Sequence, residues 1–211
     1  NYIGDGIANN DSVTTANIIG VISLDVQNKN ISDLKGIEDF NSLTQVYCLE
    51  NQLTSLDLSS NTALTKIHCS DNQLTSLDIS NCTSCTELFC NLNQLTNLDL
   101  SNNSVLYNFN CDDNLITNLD LSQNINLWTA SCSNNQLTSL DVSTGLYYLI
   151  VDNNQLISLD LRNVNTQLYL ITTQNPNLTC ISVDDVAWAT ANWTNIDSHT
   201  SFSPNCDKTY V

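Results

Sequence analysis

Residues 47–67 read YCLENQLTSLDLSSNTALTKI, and residues 68–88 read HCSDNQLTSLDISNCTSCTEL. The phrase returns in FCNLNQLTNLDLSNNSVLYNF (89–109), NCDDNLITNLDLSQNINLWTA (110–130) and SCSNNQLTSLDVSTGLYYL (131–149). Aligned, the segments resolve into columns. Cys48, Cys69, Cys90, Cys111 and Cys132 recur every 21 residues. An asparagine column runs Asn51, Asn72, Asn93, Asn114, Asn135, Asn154 and Asn175, with one step of 19. Leu56, Leu77, Leu98, Leu119, Leu140 and Leu159 form a third column, each followed by an aspartate: Asp57, Asp78, Asp99, Asp120, Asp141 and Asp160. Self-similarity at a fixed short period marks a stacked-coil solenoid, whose single repeats cannot bury their own apolar faces.

The columns have a physical reading. Each coil offers a short strand, such as 66–70, with Ile67 and Cys69 inward and Lys66, His68 and Ser70 outward. Coils stacked at about 4.8 Å pair these strands into a parallel sheet. The asparagines turn the chain at the strand end, where their amides satisfy backbone groups that the turn leaves unpaired. A 21-residue coil has room for an extended or short 3₁₀ return but not for a full helix, which predicts a shallow arc.

The pattern L-x-x-L-x-C-x-x-N-x-L over roughly residues 43–179 resembles the leucine-rich repeat. The resemblance implies a right-handed horseshoe or shallow arc, with a parallel sheet on the concave face and extended or 3₁₀ segments on the convex one. The finer phrase NQLTSLDLSxN, with the ending NPNLTCISVDDVAWATANWTNIDSHTSFSPNC, is similar to repeats in secreted proteins of Bacteroidetes-type bacteria. That likeness implies an extracellular or outer-surface location rather than a ligand.

The expected organisation is an N-terminal cap and irregular first coil (1–44), a repeat array (45–179) and a C-terminal cap (180–211). An open solenoid would expose core and unpaired strand edge, so both ends need covering. Ile31, Leu34, Ile37 and Phe40 are expected to cover the first regular coil. At the other end Ser182–Trp193 is expected to form a short helix, with Ser182 as N-cap, acids in its first turn, and Val183, Val186, Ala187 and Trp193 closing the last coil. Cys180 and Cys206 flank that segment and are expected to form a disulfide.

Composition excludes some partners. Five Lys and Arg stand against 22 Asp and Glu, a formal charge of −17, with only 13% of residues charged. Such a surface repels phosphate backbones and anionic headgroups, so nucleic acid and membrane surfaces are not expected partners. No apolar run reaches the roughly 20 residues a bilayer span requires. The chain shows no initiating Met or signal-peptide pattern, and it reads as a mature protein or one module of a larger polypeptide.

Nine cysteines, with CTSC at 82–85, invite a disulfide, redox or zinc reading. Five of them lie in the inward column, where Cys serves as a small hydrophobe, and Cys85 shares a column with Leu43, Leu64, Leu106 and Leu127. Cys82 falls where neighbouring repeats carry Asn. Parallel side-chain directions make poor disulfide geometry, and two His are too few to complete a zinc site. No metal and no cofactor is therefore expected. The aspartate column suggests a calcium ladder, but single acids flanked by Leu read better as acceptors for their own following turns. Glu50, Asp71, Asp112 and Asp113 read as a separate solvated patch near the strand ends.

No glycine-rich phosphate loop or Ser/His/Asp constellation emerges, and the chain is not expected to be an enzyme. Function in solenoids sits on the outward sheet face. There the sequence places Tyr47, His68 and Phe89 near one end and Tyr148, Ile150, Tyr169 and Ile171 near the other. Exposed aromatics in a shallow trough suit protein hot spots or stacking on sugar rings. The expected role is a non-catalytic recognition module for a protein or a neutral polysaccharide. The alternative is a structural spacer or interaction stalk within a larger surface protein, in which these groups merely pack against caps or other domains.

Overall fold

The computed structural model describes residues 18–206, so the first 17 residues of the expected N-terminal cap and residues 207–211 of the C-terminal one lie outside it. The described chain winds into a parallel-sheet solenoid with the leucine-rich-repeat architecture, and a horseshoe arc fits it. One sheet holds β1 (Ser23–Asp25), β2 (Gln45–Tyr47), β3 (Lys66–His68), β4 (Glu87–Phe89), β5 (Asn108–Asn110), β7 (Thr129–Ser131), β9 (Tyr148–Ile150) and β11 (Tyr169–Ile171), in that order. The strands span three residues, shorter than the sequence suggests, and the sheet starts a coil earlier, at β1. Their central residues Val46, Ile67, Leu88, Phe109, Ala130, Leu149 and Leu170 point into the core, followed two positions on by the buried Cys48, Cys69, Cys90, Cys111 and Cys132 and then by Val151 and Thr172.

The return limbs carry a second, shorter set of ladders at the Leu-Asp column. Asp57 bridges Asp78, β6 (Asn118–Asp120) pairs with β8 (Ser139–Asp141), and β10 (Leu159–Asp160) pairs with β12 (Cys180–Ser182), itself paired with β13 (Ser201–Ser203). One 3₁₀ turn, Ile37–Asp39, is present among the described returns. The leucines of this column are buried and the aspartates face outward. Each of Asp57, Asp78, Asp99 and Asp120 accepts the N–H of the serine two residues on, at 2.8–2.9 Å. The Ser59, Ser80 and Ser101 N–H and hydroxyl groups hold the carboxyls of Asp57, Asp78 and Asp99 below their ordinary pKa.

The asparagine column joins the coils. Asn72 donates through Nδ2 to the carbonyls of Cys48 (3.0 Å) and Cys69 (3.1 Å), while its Oδ1 accepts Leu53 N–H at 2.9 Å. One buried amide thus closes its own turn and bonds twice to the coil before it. The same contacts recur at Asn93, Asn114, Asn135, Asn154 and Asn175. Immediately before these residues, Glu50, Asp71, Leu92, Asp113, Asn134, Asn153 and Gln174 all adopt the left-handed conformation, with φ between 52° and 60°. That corner costs a non-glycine residue about 1 kcal/mol.

A second ladder, formed by the asparagines that align with Cys82, runs along the return side. Asn61 Nδ2 donates to Ile37 and Phe40 carbonyls, Asn103 to Ile79 and Cys82, and Asn124 to Leu100 and Asn103, all within 2.9–3.2 Å. Cys82 occupies the missing rung, its thiol 3.9 and 3.8 Å from the Leu58 and Asn61 carbonyls. In the shortened coil Ser143 stands at that position with its buried hydroxyl unpaired, and there Gly145 lets backbone pass: an added Cβ would lie 2.8 Å from the Ile125 carbonyl oxygen.

The C-terminal cap departs from the expected helix. The helix, α1, spans Val186–Asn192, and its N-cap is Asp185, whose carboxylate accepts Trp188 N–H at 2.9 Å. Ser182 instead ends β12, because Val183 stays in the core and its N–H bonds Ser203. The expected acids fall before the first turn rather than in it, and the buried register moves accordingly. Val186 and Ala187 are exposed, while Val183, Ala189 and Trp193 close the coil. The cap supplies what a further coil would have. Trp193 indole N–H donates to Leu168 carbonyl at 2.8 Å, Asn195 carbonyl accepts Thr172 N–H, and the Asp197 carboxylate accepts Gln174 and Asn175 N–H. Cys180 and Cys206 are disulfide-bonded, 5.7 Å apart at Cα.

The other seven cysteines are buried free thiols. Burial pushes Cys48 and Cys85 up to about 12 and Cys82 to about 11, and raises Cys69, Cys90 and Cys111 as well. A pKa raised in the folded state means the native protein keeps protons that the unfolded chain releases, so this contribution is complete below the unfolded value of about 9. It is lost as pH rises from there toward 12.

These contacts fix four expectations. Asn114→Ala leaves the Leu95 N–H unpaired in the core and takes one of two amide donors from each of the Cys90 and Cys111 carbonyls, which keep Asn93 and Asn135, and is expected to cost roughly 1–3 kcal/mol in urea unfolding. Cys82→Asn adds such donor bonds but buries an Oδ1 of the kind that is unpaired at Asn61, Asn103 and Asn124, and is expected to shift stability by less than about 1 kcal/mol. An aromatic disulfide reagent at pH 8 should find none of the seven thiols in the folded protein and all seven after denaturation. The midpoint of urea unfolding should fall between pH 9 and pH 11; a midpoint that holds steady there would contradict the thiol burial.

Candidate functional site

The outward face of the main sheet presents two columns of side chains. In strand register, Gln45, Lys66, Glu87, Asn108, Thr129, Tyr148 and Tyr169 form one, and Tyr47, His68, Phe89, Asn110, Ser131, Ile150 and Ile171 the other. Every residue singled out from the sequence for this face therefore stands on it, in two separate groups.

The N-terminal group is closed on itself. His68 stacks on Phe89 with ring centroids 4.5 Å apart and meets Tyr47 edge-on at 4.9 Å. Its Nε2 lies 2.6 Å from Glu87 Oε1, and Lys66 Nζ is 3.5 Å from the other carboxylate oxygen. Partial burial disfavours the Glu87 carboxylate, yet the His68 bond and the Lys66 charge hold its pKa below the ordinary value. Tyr47 hydroxyl donates to Gln45. All three rings are half-buried, so little of this group is left for a partner.

The C-terminal group is open. Tyr148 and Tyr169 are 46% and 47% exposed, with rings tilted 5.8 Å apart, and Ile150 and Ile171 lie beside them, half-buried. Asp112 and Asp152 follow the inward residues Cys111 and Val151 at the strands' C-terminal ends. Asp112 accepts the Ser131 hydroxyl at 2.8 Å and Ser133 N–H at 2.6 Å; Asp152 accepts the Ser133 hydroxyl at 2.7 Å. Desolvation raises the Asp112 pKa, and these hydrogen bonds offset it only in part. Asp112 thus belongs to the sheet face, whereas Glu50, Asp71 and Asp113, grouped with it by sequence, occupy left-handed corners beyond the strands.

Sequence reasoning missed a third feature. Tyr107, Trp128 and Tyr147 immediately precede β5, β7 and β9 and stack along the sheet's N-terminal rim, with centroids 5.9 and 3.6 Å apart and planes within 18°. Earlier coils carry Thr44, Thr65 and Thr86 at that position, so a periodicity search returns a threonine column that stops. Among the described residues, no group of three or more His, Cys, Asp or Glu side chains is arranged to hold a metal ion, and no helix is long and apolar enough to cross a membrane.

No protein-family profile matches the chain. Among curated proteins, internalin J of Listeria monocytogenes is 40% identical over 52 residues, covering 25% of this chain and 6% of that protein. Among solved structures, the functional domain of InlJ from Listeria monocytogenes, which includes a cysteine ladder, is 33% identical with a TM-score of 0.62. That match covers 84% of this chain and 49% of that one. Internalin C2 from Listeria monocytogenes is 23% identical (TM-score 0.56; 90% and 84% covered). A leucine-rich-repeat protein of Leptospira interrogans is 19% identical (TM-score 0.60; 91% and 51% covered). The last two show the shared fold alone. The chain thus spans about half of the InlJ domain and a small part of the curated relative, and its structural neighbours are leucine-rich-repeat proteins.

Exposure separates the two aromatic groups energetically. Tyr148→Ala and Tyr169→Ala are expected to shift stability by less than about 1 kcal/mol, whereas Phe89→Ala, which breaks the His68 stack, should cost about 1–2 kcal/mol. Equal losses at Tyr169 and Phe89 in urea titration would overturn the distinction.

Proposed function

We propose that this chain is a non-catalytic recognition module that binds a protein through the outward face of its sheet. The observation that carries the proposal is the open group on β9 and β11, where Tyr148 pairs with Tyr169 and Ile150 with Ile171 in register. Large rigid side chains exposed side by side on a sheet contribute nothing to the core behind it and suit a partner's hot spot. Internalin-type neighbours support the same reading, since leucine-rich-repeat arrays serve widely as interaction scaffolds. An extracellular or outer-surface setting, within a larger polypeptide, accords with a disulfide-tied cap on a strongly acidic chain. The residues assigned to the binding face are Tyr148, Ile150, Tyr169 and Ile171, with Tyr47, His68 and Phe89 as a mainly structural flank. The array is read as bounded near residues 45 and 179, the flanking segments acting as caps.

The test is a binding screen of the purified chain against intact cells, extracellular protein fractions and a neutral-glycan array. Binding of a protein, reduced at least about tenfold by Tyr148→Ala with Tyr169→Ala, is the expected outcome. Binding to glycan alone would replace the ligand class, and silence in every format would favour a spacer.

A further inference from the structure

The aromatic rim and the open face meet at β9, in the least basic part of the molecule. Tyr147, at the end of the Tyr107–Trp128–Tyr147 stack on the rim, immediately precedes Tyr148, which pairs with Tyr169 on the sheet. Between Lys66 and Arg162 the sequence contains no Lys or Arg at all and ten acids. Asp78, Asp99, Asp120, Asp141 and Asp160 stand on the return limbs, Asp71 and Asp113 occupy left-handed corners and Glu87 is ion-paired, which leaves Asp112 and Asp152 beside the sheet face. Every aromatic of the surface except Tyr169 falls in that stretch. Across the same coils Asp112 and Asp152 edge the far side of the face, and neither takes part in an ion pair among the described residues. The N-terminal group differs in its pairing: Glu87 already holds Lys66 and His68, and its rings are packed on one another.

From this asymmetry we infer that the surface formed by Tyr107, Trp128, Tyr147, Tyr148 and Tyr169, edged by Asp112 and Asp152, docks a cationic protein segment bearing Arg or Lys among apolar side chains. The inference rests on the sheet-face reading above and names the partner's chemistry. Stacked rings bury their faces against one another, leaving Trp128 without the open platform a sugar ring needs. They still offer apolar edge area to aliphatic stems, and Tyr148 and Tyr169 retain half-open faces for a guanidinium. A carboxylate already partly desolvated, as at Asp112, gains more from an arriving cation than one in open water. With no basic residue in these coils to repel the partner, the long-range field steers cationic segments to this half of the arc.

The experiment is selection of a random peptide library, displayed on phage, on the full chain, followed by affinity measurements with the enriched peptides. The expected result is enrichment of net-positive peptides containing Arg or Lys beside apolar residues. Their binding should weaken with added salt and fall about tenfold or more on Trp128→Ala or on Tyr148→Ala with Tyr169→Ala. Asp152→Asn, an isosteric change at an accessible carboxylate, should weaken binding severalfold and guards against a folding defect in the Trp128 variant. Enriched peptides that are neutral or acidic, or that respond only to Tyr47→Ala and Phe89→Ala, would overturn this inference while leaving a sheet-face binding module intact. Peptides that respond to no sheet-face substitution, or no enrichment at all, would overturn both.

Discussion

A buried asparagine side chain that bonds its own turn and the coil before it is the constraint on which the rest of the molecule depends. Each such amide satisfies three backbone groups at the strand end, where the chain leaves the sheet and no ladder partner exists. Because the partners sit on two coils, the bond fixes stacking as well as turning. The left-handed residue before each asparagine follows from the same demand: its N–H reaches the next coil, as Glu50 does to Ser70 and Leu92 to Asp112. Strain at that corner is accepted seven times over because the ladder beyond it depends on it.

The same demand accounts for the cap. A final coil has no successor, so Gln174 and Asn175 would be left with unpaired N–H groups, and Thr172 and Leu168 would expose sheet edge. Asp197, Asn195 and Trp193 provide acceptors and a donor from a segment that is not a repeat. The Cys180–Cys206 bond ties β12 to the stretch following β13 and holds that segment across the end of the core. The β11 end of the main sheet is thereby met by the cap rather than left as open strand edge.

The sequence reveals what is periodic and hides what is not. The Cys, Asn and Leu columns were legible because each buried position tolerates one residue type for one reason, and the outward positions of Tyr47 and Tyr148 followed by alternation. The second asparagine ladder was legible only as the asparagines aligned with Cys82, because Phe40, Cys82 and Ser143 interrupt the run; the Cys82 thiol approaches the same carbonyls, whereas the buried Ser143 hydroxyl has no hydrogen-bond partner. The left-handed column was hidden more deeply, since Glu, Asp, Leu, Asn and Gln share a backbone conformation that none of them advertises. At the cap, propensity placed the helix start at Ser182, yet a buried Val183 kept the strand going and Asp185 became the N-cap. Tertiary burial outweighed a local signal worth about 1 kcal/mol.

Function follows the complement of that logic. Positions that hold the coils together repeat, so a position that departs from its column without a core reason is free for something else. Thr44, Thr65 and Thr86 use their hydroxyls to bond the preceding carbonyl along the rim, at 2.9–3.1 Å. Tyr107, Trp128 and Tyr147 abandon those bonds and stack instead, in coils that carry no Lys or Arg. A stack of rings replaces a hydroxyl ladder as a means of packing the rim, but it adds large apolar area to a surface that needed none. On the reading proposed above, the break in periodicity, rather than the periodicity, marks the part of this solenoid fitted to a partner.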